Sequence, residues 1–437
     1  MGDYRSTLAR VGVAVPDILV PKASVDLYRW AVVACDQFTS QPDYWQRADD
    51  VAGDAPSTLR LIFPEVYLGD PDAEDRIAAI NHAMTEYLAG GVFDTYSRTL
   101  FLVRRESAVG VGRWGLLVAL DLERYSWEAD ATTLIRATEG TILDRIPPRK
   151  AIRRDAPLEL PHILVLIDDE QRTVIEPLAA RAATLRPVYA TDLMLGGGRV
   201  SAWAVDAEAD LSAVADALAT LHDRLDPADP LLFAMGDGNH SFATAKSCWD
   251  DLKPTLSEDK RAAHPARYCL VELENIFDPG LEFEPIHRVL FGVSRAAFEA
   301  ELGRHCRAFS AAAVVDLPSV LTQLDAAEAG QQFGYADADG LAVYTLQQPV
   351  ASIPAGTLQH VIDDLLAQGR AEVDYIHGAD VTESLGRQPG NIGLFLSGIP
   401  KDTFFHSIVA DGALPRKTFS MGEAEDKRYY LEARRIR

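Results

Sequence analysis

The residues from Leu231 to Lys246, LLFAMGDGNHSFATAK, combine an apolar run, a glycine-bounded polar turn and an alanine-rich segment. Leu231 to Met235 is short and apolar, and Pro230 and Gly236 bound it, which predicts a buried strand. From Ser241 onward Phe242, Ala243, Ala245 and Trp249 form a helix-like stripe, so the chain should pass from strand to helix within about five residues. At such a junction the first-turn amides lack intrahelical partners and the positive end of the helix dipole faces outward, a setting that suits phosphate or carboxylate. Gly236 and Gly238 allow positive φ and close approach of a ligand to the backbone. Asp237, Asn239, His240 and Ser241 then gather acid, amide, imidazole and hydroxyl groups around one spot.

A plain structural reading stands beside this one. A strand-to-helix turn needs glycine and a cap whether or not anything binds, and a capping role accounts for Asn239 or Ser241. It leaves Asp237 and His240 without a reason. The segment is neither a Walker loop nor a GxGxxG fingerprint, since it lacks the terminal GK[ST] of the first and the third glycine of the second.

The elements that must position this turn read as follows. Trp30 to Cys35 is a buried strand that delivers Asp36 and Gln37 into a polar turn. Asp75 to Ala89 is a helix that stops at Gly90-Gly91. Thr99 to Arg105 and Trp114 to Leu122 form a hairpin. Ile163 to Ile167 is a buried strand, Asp168-Asp169-Glu170 a solvated turn and Val174 to Leu185 a helix. Arg199 to Val205 and Tyr268 to Leu273 are strands around a helix at Leu211 to Leu225. Phe298 to Phe309, Val314 to Ala327 and Leu358 to Gln368 read as helices, and Leu341 to Leu346 as extended. Strands and helices alternate throughout, which predicts a mixed α/β fold built on a mixed sheet with flanking helices.

Composition excludes several classes. The 437 residues allow two or three structural units, and 48% hydrophobic with 24% charged residues is ordinary for a globular protein. Against 42 basic side chains stand 65 acidic ones, a formal net charge of -23. That argues against a nucleic-acid or anionic-membrane surface, which needs clustered Lys and Arg. Cys35, Cys248, Cys269 and Cys306 form no CxxC pair, and neither a signal peptide nor an apolar run of ~20 residues is present, so a cytoplasmic protein is expected. HExxH and GxSxG are absent, which counts against a zinc hydrolase and an α/β-hydrolase.

Two further places hold reactive side chains. Asp36 follows a buried strand directly, where ligand sites gather in open α/β sheets, although a turn formed with Gln37 explains it equally. His287 and Arg288 are polar residues inside the apolar context Pro285 to Leu290, readable as a core histidine with an ion pair or as part of a site.

The segments ILVPK (Ile18 to Lys22), WAVVACDQFTSQPDYW (Trp30 to Trp45), FPEVYL (Phe63 to Leu68), MGDGNHSFATAK (Met235 to Lys246), PIHRVL (Pro285 to Leu290), DYIHG (Asp374 to Gly378) and LPRKTFSMGEA (Leu414 to Ala424) resemble one subgroup of the family catalogued as "domain of unknown function 1015". That family's usual central motif, Asp-Gly-His-His-Arg, is similar to one in free-serine kinases of the ParB and sulfiredoxin superfold, where it binds nucleotide phosphates. Those kinases also carry a Lys-Thr segment near their C-terminal end, and Pro415-Arg416-Lys417-Thr418 resembles it. The resemblance implies a ParB/sulfiredoxin-like nucleotide-binding core with large additions. Residues 1–140 would then be an N-terminal α/β part contributing to the site, and residues 141–437 the part that carries both motifs. It also implies ATP or ADP with Mg2+ as cofactor, and a small-molecule substrate with no nucleic acid or membrane partner. Asp237, His240 and Lys417 would be catalytic, with Asp237 also the metal contact. Gly236, Gly238, Asn239, Ser241, Arg288 and Thr418 would hold nucleotide phosphate, and Asp36, Gln37, His287 and Glu139 the substrate. Glu139 enters because Ala137-Thr138-Glu139-Gly140-Thr141 matches another family segment.

The sequence departs from the pattern at Asp237-Gly238-Asn239-His240-Ser241, where the first histidine and the arginine are replaced. Serine cannot reproduce the bidentate bonds of a guanidinium, so a phosphate here would lean on backbone amides and on a cation from elsewhere, with Lys246, Arg288 and Lys417 as candidates. Two functions follow as expectations. One is a kinase-like phosphotransferase acting on a small hydroxylated metabolite such as serine. The other is a nucleotide-binding regulatory module without transfer chemistry.

Overall fold

The computed structural model describes residues 3–128, 130–326, 330–415, 417–422, 424 and 427–437. The chain forms two compact units, Met1–Glu282 with Gly422–Arg437, and Phe283–Met421. The expected division after residue 140 falls inside the first of them. Arg416, part of the expected C-terminal motif, lies outside the described residues.

The first unit is built on a 10-stranded mixed sheet. From one edge the strands run Arg186–Asp192, Arg199–Val205, Leu100–Glu106, Gly112–Asp121, Tyr268–Asn275, Leu164–Ile167, Phe233–Asp237, Ile135–Arg136 and Tyr125–Ser126. The tenth strand, Val13–Ala14, pairs with Gly112–Asp121 off this path. Most neighbours are antiparallel, but Leu164–Ile167 is parallel to Tyr268–Asn275, and Ile135–Arg136 is parallel to both Phe233–Asp237 and Tyr125–Ser126. Side chains alternate across a strand, so Leu116, Val118 and Leu120 enter one apolar core while Leu117 enters the other. Both faces are therefore covered, which is why these strands read as nearly unbroken apolar runs. The second unit holds a six-stranded antiparallel sheet in the order Cys306–Val314, Gly340–Pro349, Gln331–Asp337, Asn391–Phe395, His287–Phe291 and Glu372–Ile376.

The expected mixed α/β class is the observed one, and the hairpin, the central strand and the long helices lie close to where the periodicity puts them. Three segments differ. The Asp26 carboxylate caps Tyr28 N–H and draws Leu27–Trp30 into a helix, so the strand expected from Trp30 shrinks to Val32–Val33. Phe298 to Phe309 splits into a helix, Arg295–Leu302, and the start of the strand Cys306–Val314, because pairing with Gly340–Pro349 overrides the helix preference of alanine. The helix expected from Val174 is only Glu176–Ala179. Ahead of it Asp169 is fully buried rather than solvated, its carboxylate accepting from the N–H of Thr173 and Val174 at 2.6 and 2.8 Å.

Candidate functional site

Sheet topology brings three chain segments to one place. Antiparallel pairing sets Asp237, at the C-terminal end of its strand, opposite Leu164, at the start of its own. Parallel pairing sends the chain after Ile135–Arg136 toward the same end, where Thr138 Oγ1 donates to the Met235 carbonyl at 2.6 Å. Residues 137–142, 161–163 and 237–241 thus converge. A fourth segment joins them: Tyr429–Tyr430 pairs antiparallel with Val32–Val33, which holds Cys35, Asp36 and the C-terminal strand together.

The turn has the expected strand, glycine and helix, but only Gly238 takes positive φ, and Gly236, expected to bound the strand, lies inside it. The strand Phe233–Asp237 ends, Gly238 takes the left-handed conformation at φ 80°, and the 14-residue helix Asn239–Leu252 begins. A Cβ on Gly238 would meet the Ile163 backbone at 3.1 Å, so both the dihedral and the close approach require glycine. The Asp237 carboxylate accepts from Gly238 N–H at 2.9 Å and lies 3.6 Å from the Lys427 ammonium. Asn239 Oδ1 is buried with no hydrogen-bond partner among the described residues, a position that a donor on a bound molecule would relieve. His240 Nε2 accepts from Ile142 N–H at 3.2 Å. A backbone N–H can only donate, so a neutral His240 carries its proton on Nδ1 and helps to fix the segment that holds Glu139.

One helical turn on, Ser241 Oγ lies 2.8 Å from His162 Nε2, and His162 Nδ1 lies 2.8 Å from the Tyr430 hydroxyl. That hydroxyl also accepts from Cys35 N–H at 3.2 Å. Burial raises the Tyr430 pKa well above the usual phenol value, so the oxygen keeps its proton and can donate it to His162 Nδ1. His162 Nε2 then points its N–H toward Ser241, with the Asp36 carboxylate 3.9 Å away. Gln37 Nε2 donates to Asp36 Oδ1 at 3.1 Å. Burial raises the Cys35 thiol above its usual pKa, which leaves it without thiolate character.

Ser241, His162 and Tyr430 also line a cavity of ≈ 130 Å³ in the first unit. Its wall carries Glu65 paired with Arg149, and Glu159 paired with Arg153. Burial raises the Glu65 pKa against the opposing pull of Arg149.

The family model described as "Protein of unknown function (DUF1015)" matches residues 17–365. The chain belongs to that family. No curated protein matches it. Among solved structures this DUF1015 protein aligns with a free serine kinase in complex with AMP at 8% identity and a TM-score of 0.35, covering 74% of this chain and 91% of that one. It also aligns with SbnI with C-terminal truncation from Staphylococcus aureus at 9% identity and a TM-score of 0.36, over 70% of this chain and 82% of that one. A conserved hypothetical protein from Pyrococcus furiosus aligns at 9% identity and a TM-score of 0.33, over 72% and 90%.

Of the residues singled out in the sequence, the DUF1015 first unit brings Asp36, Gln37 and Gly236 to Ser241 around the His162 cluster, with Glu139 in the adjoining segment. Lys246 is engaged by Asp250 one helical turn away at 3.0 Å. His287, Arg288, Lys417 and Thr418 belong to the second unit. There His287 Nδ1 accepts from Leu396 N–H at 3.2 Å, and the fully buried Arg288 bonds the Ile286 carbonyl and lies 5.4 Å over the Tyr375 ring. Thr418 Oγ1 donates to the Pro415 carbonyl at 2.5 Å, and Lys417 is exposed with φ 60°. His162, Tyr430 and Lys427 escaped the sequence reading. The signal for His162 was its place directly before the apolar run Ile163 to Ile167. Nothing local marks Tyr430 or Lys427, which reach the turn through strand pairing. No helix among the described residues is long and apolar enough to cross a membrane.

Proposed function

We propose that this protein is a nucleotide-dependent phosphotransferase that acts on a small hydroxylated metabolite. The observation that carries the reading is the Asp237 carboxylate at the Gly238-capped start of a 14-residue helix, with the Lys427 ammonium 3.6 Å away. Phosphoryl transfer rests on positioning and charge neutralisation, and first-turn amides, one carboxylate and one ammonium meet those needs in a small space. A bound Mg2+ nucleotide would supply the transferable phosphoryl group, held by the amides of Gly238 to Ser241 with Asp237 as metal contact. The buried, unpartnered Asn239 Oδ1 fits a donor such as a metal-bound water. Lys427 would offset phosphate charge.

In a transfer step the acceptor oxygen would form its bond to phosphorus as the bridging P–O bond of the nucleotide broke, with the nucleoside diphosphate or monophosphate leaving. The acceptor proton would pass to the Asp36 carboxylate, which lies 3.9 Å from His162 Nε2, while Tyr430 holds the imidazole in register from its far side. Replacement of the family's arginine by Ser241 supports a second reading, a nucleotide-binding regulatory module without transfer. Incubating pure protein with ATP or ADP, Mg2+ and a mixture of hydroxylated metabolites separates the two. A phosphorylated product by mass spectrometry supports transfer, and nucleotide binding with no product under any condition supports the module.

A further inference from the structure

The cavity beside the turn has a wall of unusual balance. Leu61, Ile62, Phe63, Met84, Ile152 and Leu158 give it a mostly aliphatic surface. Its charged groups are two arginines and two glutamates, and they are matched within the wall, Arg149 with Glu65 and Arg153 with Glu159. Glu159 is further held by Arg434 at 2.7 Å. A carboxylate or ammonium entering this space must break a pair already made or stay uncompensated in a low-dielectric setting, and either is costly. A hydroxyl meets Ser241 Oγ, which can donate or accept, the His162 Nε2 N–H, which can donate, and the Tyr430 oxygen, which can accept. At ≈ 130 Å³ the space is somewhat below the 150 Å³ or so of an engineered apolar cavity that accepts benzene, so it suits a body of about five or six non-hydrogen atoms.

We infer that this cavity takes an uncharged aliphatic alcohol, with the hydroxyl at Ser241 and His162 and the alkyl body against Leu61, Phe63 and Met84. The inference deepens the phosphotransfer reading, since it names the acceptor class and places the reacting oxygen beside the Asp36–His162 pair. A zwitterionic amino acid such as serine is disfavoured by the same charge balance.

The test measures binding without nucleotide, by ligand-observed NMR titration of the full chain. The probes are 3-methylbutan-1-ol, its amine and carboxylate counterparts, and L-serine. The alcohol should bind at least tenfold more tightly than each charged probe. Met84→Phe, which adds volume to the wall, should weaken the alcohol at least fivefold in a protein whose circular dichroism is unchanged. Equal or tighter binding of any charged probe overturns the inference, as does unchanged alcohol binding in a folded Met84→Phe protein. If that variant does not fold, the selectivity of the wild-type protein decides alone. Alcohol binding without any phosphorylated product keeps this inference and removes phosphotransfer. Transfer to a charged acceptor with no alcohol binding does the reverse.

Discussion

Tyr430→Phe should cost far more stability than Ser241→Ala, although the two hydroxyls flank the same histidine. The Tyr430 oxygen accepts from Cys35 N–H at 3.2 Å and bonds His162 Nδ1 at 2.8 Å, in a residue only 2% exposed. Removing it breaks two hydrogen bonds and leaves two buried polar groups, Cys35 N–H and His162 Nδ1, without that partner. At ~1–3 kcal/mol for each of the two orphaned groups, the loss should be roughly 2–6 kcal/mol. Ser241→Ala breaks one bond, keeps a good helix former in the first turn and leaves His162 Nε2 near the Asp36 carboxylate, so its cost should be ~1 kcal/mol or less. All six tryptophans, Trp30, Trp45, Trp114, Trp127, Trp203 and Trp249, lie in the first unit, so fluorescence during urea unfolding reports that unit alone. Tyr430→Phe should also lower turnover roughly 10²-fold, the low end for a displaced acid–base group. Equal midpoints for the two variants, or a larger loss in Ser241→Ala, would show that Tyr430 does not hold His162.

Other consequences can be measured directly. Arg428 is buried and pairs with Glu272 at 2.7 Å and Glu432 at 2.8 Å, so Arg428→Met leaves two buried carboxylates uncompensated and should cost about 3–5 kcal/mol in the same unfolding assay. A loss under ~1 kcal/mol would deny this pair its role in anchoring the strand that carries Tyr430. Burial, aided by the charges of Arg288 and His377, lowers the His287 pKa to about 4 from 6.5, so below pH 6.5 the unfolded chain takes a proton that the folded unit refuses. The second unit should therefore be most stable above pH 6.5 and lose about 3 kcal/mol as the pH falls toward 4, read by hydrogen exchange over His287–Phe291. His287→Asn should flatten that dependence. Lys427→Met should weaken nucleotide binding about tenfold, or ~1.4 kcal/mol, by calorimetric titration. Unchanged affinity removes Lys427 from the phosphate site.

Much of the scaffold was legible because buried strands and amphipathic helices write their periods into the sequence. The strand, glycine and helix of Leu231 to Lys246 were readable for that reason, as was the hairpin of Leu100–Glu106 and Gly112–Asp121. Asp36 could be singled out because it follows an apolar run. What surrounds these residues was not legible, because it depends on partners far apart in the chain. Tyr430 and His162 are separated by 268 residues, and Lys427 faces Asp237 only because a two-residue strand pairs with Val32–Val33. The misread segments share that cause. The alanine-rich Cys306–Val314 is a strand by virtue of its neighbour, not its composition.

Phosphoryl transfer at Asp237 is tested by 31P NMR of the protein with ATP or ADP, Mg2+ and a hydroxylated acceptor, run beside Asp237→Asn. Asparagine keeps an oxygen to accept from Gly238 N–H and removes the charge facing Lys427, so the variant should fold and bind acceptor normally. A phosphate-ester signal should grow with wild-type protein and be absent with the variant. Nucleotide bound without any ester signal, or an ester formed equally by Asp237→Asn, would contradict transfer at Asp237.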